Sequence, residues 1–235
     1  MFDSGIYAIL DTDRLGWSDP QQLRAASEQL VGYTIAAAEG GAVALQLRCK
    51  SLPVADPLRR THADLIAASL QRLPRPPLPL VIDDDLAAAV ASCSGLHWGQ
   101  ADGDPATART GLGTAPILGW STHTLEQVAA AQGLPVDYLG FGPVRPTWSK
   151  QRAEPATGWA QLADAAHLSR LPVVAIGGLE AADAALVRAS GAHAMAVIGA
   201  WLGPPAAPWP IEAAYRAMTA LVAAWRSAPS YGVTP

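Results

Sequence analysis

The run Val136-Asp137-Tyr138-Leu139-Gly140-Phe141 passes directly into Gly142-Pro143-Val144-Arg145-Pro146-Thr147-Trp148-Ser149-Lys150. Its first part is apolar at nearly consecutive positions, which reads as a strand buried on both faces. Its second part carries two prolines, two hydroxyls and a lysine. A buried strand that stops in a stiff polar loop offers chemistry at its C-terminal end. Whether the chain repeats this unit decides the fold.

The unit recurs along the chain. Strands are expected over 5–10, 42–48, 78–83, 95–99, 117–121, 136–142, 173–177 and 194–198, all short and apolar. Between them lie alanine-rich stretches with apolar residues three and four apart, such as Leu125, Val128 and Ala129, then Leu162, Ala165 and Ala166, then Ala184 and Ala185. Ser121-Thr122-His123-Thr124 precedes one of these helices, and Gly133 and Gly191 sit where helices should stop. An amphipathic helix is expected over 211–225. About eight strand–helix units in a chain of 235 residues predict an α/β fold, a TIM (β/α)8 barrel forming a single domain over 1–235. The alternative is a doubly wound open sheet, since alternation alone does not separate an open sheet from a closed one. The absence of a glycine-rich dinucleotide fingerprint after the first strand weighs against it. Arg75-Pro76-Pro77 and Gly203-Pro204-Pro205 punctuate loops and do not divide domains.

Composition narrows the function. The chain is 50% hydrophobic and 15% charged, with a net charge of -4, which argues against nucleic acid and membrane surfaces as partners. Its two cysteines, Cys49 and Cys93, are too few for a disulfide framework. With no signal-peptide pattern at the N-terminus, a cytoplasmic location is expected. A homo-oligomer is compatible with the sequence but not readable from it. Of 16 basic residues only Lys50 and Lys150 are lysines, so their positions are informative.

In a barrel, chemistry gathers at the C-terminal ends of strands. The second expected strand ends in Gln46-Leu47-Arg48-Cys49-Lys50 and the third in Asp83-Asp84-Asp85. The fourth runs into Gln100-Ala101-Asp102, the fifth into Ser121, and the sixth into the opening loop. The seventh and eighth end in Gly177-Gly178 and Ile198-Gly199. Three cations, Arg48, Lys50 and Lys150, beside several carboxylates suit a polyanionic ligand bound through a divalent metal. Asp84 and Asp102 come from adjacent strands, whose axes lie ~5 Å apart, and such a pair suits a diphosphate-bound Mg²⁺. The plainer reading of Asp83–Asp85 is a solvated helix start, where acids favour the dipole. Gly177-Gly178 lets backbone approach a ligand, and the helix expected next would add amide donors. Alternation along the second strand turns Cys49 away from Arg48 and Lys50. His97 either faces the ligand or packs as a core residue, while His123 supports a helix start. Trp98, Trp120 and Trp201 read as packing between strand and helix, and Trp148 as a candidate for stacking on a ring.

Together these motifs resemble the thiamine phosphate synthase family. The resemblance rests on Gln46–Lys50, Asp83-Asp84, the stretch 95–102 (GLHWGQAD), the stretch 119–124 (GWSTHT), the run 137–150 and Ile176-Gly177-Gly178. It implies a Mg²⁺-dependent transferase that joins hydroxymethylpyrimidine diphosphate to hydroxyethylthiazole phosphate, releasing pyrophosphate. It also implies that Gln46, Arg48, Lys50, Ser121 and Lys150 bind the pyrimidine diphosphate, with Asp83 among the substrate-binding residues. Arg48, Lys50 and Lys150 would stabilise the leaving group, and Asp84 and Asp102 would hold Mg²⁺. Thr147, Trp148, Ser149, Gly178, Ile198 and Gly199 would bind the thiazole phosphate. On this view Pro143 and Pro146 stiffen a loop that gathers both substrates.

Three departures stand out. The family usually has asparagine where this chain has Asp83, often serine where it has Gly199, and commonly an apolar or aromatic residue where it has Arg145. Two alternatives follow: an isomerase of the thiazole tautomerase type, or a non-catalytic binder of thiamine precursors. Relatives of the first kind commonly lose the aspartate found here as Asp102 and the loop found here as Pro146–Lys150.

Overall fold

The computed structural model describes residues 2–15, 27–54, 56–74, 78–147, 155–205 and 207–229. Eight parallel strands close on themselves in sequence order: β1 (Gly5–Asp11), β2 (Ala44–Arg48), β3 (Leu80–Asp83), β4 (Gly95–Trp98), β5 (Leu118–Thr122), β6 (Tyr138–Phe141), β7 (Val173–Ile176) and β8 (Ala194–Val197). β8 pairs with β1 through Gly5↔Ala194 to Ala8↔Val197, and this pairing excludes the open sheet. Helices fill the connections: α1 (Ser27–Glu39), α2 (Pro57–Gln71), α3 (Leu86–Ala91), α4 (Pro105–Leu112), α5 (Leu125–Ala130), α6 (Gly158–Leu168) and α7 (Ala184–Ala189). Beyond β8 come α8 (Gly199–Leu202) and α9 (Ile211–Ser227).

Local chemistry explains where these elements begin. Asp56, Asp85, Asp104 and Thr124 each accept a hydrogen bond from a first-turn amide of the following helix, and Pro57 and Pro105 take first-turn positions that need no donor. β2 starts at Ala44 and not at Ala42, because the Ala42 amide is spent on the Ala37 carbonyl at the end of α1. Along α9, Ala214, Met218, Leu221, Val222 and Trp225 form the buried stripe. Large apolar side chains of this kind contribute about 1.5–3 kcal/mol each, and here they close the helical layer against α1 and β1.

The strands alternate between two cores. Ile6, Ala8, Leu10, Leu45, Leu47, Ile82, Leu96, Leu139 and Met195 face the helices. Tyr7, Ile9, Ala44, Val81, Tyr138, Val174, Ala194 and Ala196 fill the lower barrel. Phe2 plugs the floor, its ring 5.4 Å from those of Tyr7 and Tyr138. The two-residue period carries the inner face upward from Ala44 to Gln46 and Arg48, from Val81 to Asp83, and from Tyr138 to Gly140. Above the apolar layers the interior therefore turns polar. Small residues such as Gly140 and Ala196 leave it open as a cavity of about 590 Å³.

Candidate functional site

The cavity opens at the C-terminal ends of the strands. Gln46, Arg48, Lys50, Asp83, Asp84, Asp102, Ser121, Thr147, Gly178, Ile198 and Gly199 all line it. The fold thus gathers every expected site residue within the described part of the chain. Trp148, Ser149 and Lys150 lie outside the described residues.

On the β1–β3 side, opposite charges interlock. Arg48 Nη1 lies 2.7 Å from Asp11 Oδ2, and Arg48 Nε lies 3.9 Å from Asp83 Oδ2. Lys50 Nζ stands 3.2 Å from Asp83 Oδ2 and 2.5 Å from Asp84 Oδ2. Gln46 Nε2 donates to Asp83 Oδ1 at 2.9 Å. Burial pushes the Asp83 carboxyl up to about 6; Lys50 and Arg48 oppose that rise and Asp84 adds to it. Burial likewise wins at Asp11, raising its carboxyl despite Arg48. At Lys50 the balance reverses: desolvation draws the amine down, but Asp83 and Asp84 outweigh it and raise it.

Asp84 adopts a left-handed backbone at φ 66°, a conformation that costs most side chains about 1–2 kcal/mol. Both its peptide groups are held by β4: its amide donates to the His97 carbonyl at 3.0 Å, and Trp98 Nε1 donates to its carbonyl at 2.7 Å. The strain turns the carboxylate back toward Lys50. Asp85, one residue on, caps α3 by accepting from the Ala88 amide. The acidic triplet thus divides: two carboxylates line the cavity and the third serves the helix start. Asp102 folds over its own turn, Oδ2 accepting from the Gly99 amide at 2.6 Å.

Ser121 ends a hydrogen-bonded chain that runs from the cavity wall into the buried barrel floor. His97 Nε2 meets Ser121 Oγ at 2.8 Å, His97 Nδ1 meets the Tyr138 hydroxyl at 2.9 Å, and that hydroxyl meets Tyr7 at 2.9 Å. His97 therefore faces the cavity and is also fully hydrogen-bonded. His123 holds the loop after β6, Nδ1 bonding the Gly142 carbonyl at 2.6 Å. Trp98, Trp120 and Trp201 are buried in the outer layer, as their pattern predicts.

The β6–β8 side is built from backbone. The Val144 and Arg145 amides donate to the Ile176 and Gly177 carbonyls at 2.9 and 3.1 Å, so the loop after β6 runs beside the end of β7. Gly177 and Gly178 have φ of 105° and 64°, and a Cβ on Gly177 would overlap Pro143. Arg145 turns outward to Asp183, at 3.0 and 2.8 Å from its two oxygens. The helix start expected after these glycines is instead the short 3₁₀ turn Ala181–Asp183, and the Glu180 amide is already bonded to Asp183 Oδ2.

Sequence reasoning overlooked Asp11 and Arg14. The strand-end rule applied to β1 would have found them, because Asp11-Thr12-Asp13-Arg14 is as polar as the other strand ends. Tyr138 and Tyr7 read only as apolar strand residues, and nothing in sequence signals that their hydroxyls meet.

Residues 18–201 match the family model described as thiamine monophosphate synthase. The chain is 38% identical over 208 residues to the thiamine-phosphate synthase of Azorhizobium caulinodans, covering 87% of this chain and 90% of that one. It is 35% identical over 178 residues to the thiamine-phosphate synthase of Chlamydia caviae, covering 74% and 80%. Among solved structures, thiamine phosphate pyrophosphorylase from Pyrococcus furiosus superposes with a TM-score of 0.73 at 25% identity, covering 94% of this chain and 95% of that one.

Proposed function

Because the chain belongs to the thiamine monophosphate synthase family, we propose that it joins hydroxymethylpyrimidine diphosphate to hydroxyethylthiazole phosphate, giving thiamine phosphate and pyrophosphate. The observation that carries this reading is the interlocked cluster of Asp11, Arg48, Lys50, Asp83 and Asp84 at the mouth of the cavity. Its cations are held in place before any ligand arrives, ready to exchange a carboxylate for a phosphate oxygen.

The reaction asks for charge and alignment. Departure of pyrophosphate leaves a cation on the pyrimidine methylene, stabilised by the amino-substituted ring, and the thiazole nitrogen captures it. No side-chain nucleophile is needed. Arg48 and Lys50 take up the charge that develops on the departing diphosphate, and being fixed beforehand they need not reorganise. Gln46 and Asp83 hold Lys50 and Arg48 in that place, while Ser121, set by His97, orients the pyrimidine end. Thr147, Gly178, Ile198 and Gly199 seat the thiazole phosphate, and the enclosing walls keep water from the cation. Lys150 is assigned to the diphosphate, and Trp148 and Ser149 to the thiazole phosphate, on family resemblance alone.

Among the described residues no group of three or more His, Cys, Asp or Glu side chains forms a metal site by itself. Mg²⁺ does not need one, since it is commonly bound through one or two carboxylates together with substrate phosphates and waters. Asp84 and Asp102 fit that donor set: both line the cavity and both engage their protein partners through Oδ2. Bound there, Mg²⁺ would neutralise the diphosphate. The same reading makes the chain one barrel domain that works in the cytoplasm on phosphorylated small molecules. No helix among the described residues is long and apolar enough to cross a membrane.

The test is direct. Protein, both substrates and Mg²⁺ should yield thiamine phosphate, detected as fluorescent thiochrome, with a signal that vanishes on omitting either substrate or adding EDTA. Folded protein that binds the substrates without turnover, beside a working control enzyme, would leave it a binder and overturn the synthase reading.

A further inference from the structure

The basic side chains lining the cavity among the described residues are Arg14, Arg48, Lys50 and Arg145. Arg48 and Lys50 belong to the β1–β3 cluster, and Arg145 is drawn out to Asp183. Arg14 starts from the loop after β1 but reaches the opposite way. Its Nη1 donates to the Gly203 carbonyl beyond α8 at 2.6 Å. Its guanidinium lies over Gly199: a Cβ built on that glycine would come within 3.0 Å of Nη1 and 3.5 Å of Cζ.

Both anchors of this arm are fixed. The Thr12 amide donates to the Arg48 carbonyl at 2.9 Å, and the Ser51 amide donates to Asp13 at 3.0 Å, tying the loop to β2. Trp201 Nε1 donates to the Ile9 carbonyl at 3.1 Å, holding α8 against β1. The guanidinium is thus held above the end of β8, and a Cβ on Gly199 would push it aside by a few tenths of an ångström.

We propose that Arg14 is a substrate-binding residue, a cation that grips the phosphate monoester seated at Ile198-Gly199, and that Gly199 is small so that it can. This rests on the synthase reading, which places the thiazole phosphate there. Burial pulls the Arg14 guanidinium down from its ordinary range, with Asp11 opposing and Arg48 assisting. A partly desolvated cation of this kind gains from an arriving anion. A guanidinium also presents its donors in a planar fork that matches two phosphate oxygens.

The test separates phosphate recognition from general damage. For Arg14→Ala, KM for hydroxyethylthiazole phosphate should rise on the order of tenfold, as expected for losing a hydrogen bond to a charged group. KM for the pyrimidine diphosphate should move less than about twofold, within the scatter of a remote surface change. Calorimetry with the thiazole phosphate and its unphosphorylated alcohol should show the loss for the phosphate ester only. Gly199→Ala should reproduce part of the loss in the parent and add little in the Arg14→Ala background, because both changes remove one contact. Equal losses for ester and alcohol, or no loss for either in a protein that makes thiamine phosphate, would overturn the role of Arg14 alone. A parent protein that neither turns over nor binds the thiazole phosphate would overturn the synthase reading, and this inference with it.

Discussion

The two halves of the rim are built by different physics. Between β1 and β4 the walls are side chains, and Arg48 and Lys50 each have a carboxylate within 4 Å. Between β6 and β8 the walls are mostly main chain, shaped by glycines and by a loop laid along β7. The first half suits a ligand whose charge changes during the reaction, since paired charges can be re-paired as pyrophosphate leaves. The second suits one whose phosphate only has to be held. Damage should therefore fall on kcat in the first half and on KM in the second.

The largest effect is expected at Asp84. Asparagine tolerates the left-handed backbone that this position adopts, so Asp84→Asn removes the charge while leaving the fold. Loss of metal-assisted charge stabilisation of this kind costs on the order of 10³ in kcat. A thermal melt unchanged from the parent would show that the loss is chemical. Undiminished kcat at saturating Mg²⁺ would remove Asp84 from the proposed metal site and blur the contrast between the halves.

A smaller effect, and of the other kind, belongs to Gly177→Ala. At φ 105° any side chain is strained, and the new methyl would meet Pro143. The loop after β6 must shift, at a cost of about 1–3 kcal/mol in stability. The thiazole phosphate should then bind about ten times more weakly, with the KM of the pyrimidine diphosphate nearly unchanged. Equal rises in both KM values would mean that the loop serves both substrates through the same segment.

Asp83→Asn should change the kinetics only a few-fold, and for the better. Asp83 is 8% exposed and its carboxyl is raised, so burial disfavours its charged form. When charged, it would also compete with the proposed diphosphate for Lys50 and Arg48. An amide can still bond Gln46 but would loosen its hold on the two cations. KM for the pyrimidine diphosphate should fall by about twofold to fivefold, the scale of a modest hydrogen-bond difference. A rise would show that Asp83 itself contributes to the bound state, as a member of the metal shell.

Much of this was legible in the sequence for a simple reason. Buried parallel strands are apolar at consecutive positions, so a polar residue at a strand end stands out, and Gln46, Arg48, Lys50, Asp83, Asp84 and Ser121 were visible on that ground. Closure of the sheet was not visible, because the pairing of β1 with β8 joins segments at opposite ends of the described chain. Nor was the bond between Tyr7 and Tyr138, 131 positions apart in the chain, since a tyrosine inside a barrel looks like any apolar residue until its partner is known. Arg145 was visible as a departure, but its direction toward Asp183 depended on the loop lying along β7.

The smallest expected effect tests the boundary of the charged half, at Cys49. It lies between Arg48 and Lys50 in sequence but on the other face of β2, buried with Sγ 3.9 Å from His62 Nδ1 of α2. Burial pushes its thiol up to about 12, with Arg59 and a bond to Thr12 only partly opposing. At pH 8 the thiolate fraction is then roughly 10⁻⁴, and the thiolate is the species that reacts. Iodoacetamide should modify exposed Cys93 and spare Cys49 in the native protein, with turnover unchanged and both residues labelled after denaturation. Rapid labelling of native Cys49 that is slowed by the pyrimidine diphosphate would place it on the cavity side. The alternation that turns Arg48 and Lys50 to the cavity would then be shifted by one residue, and the charged half of the rim would have to be redrawn from β2 outward.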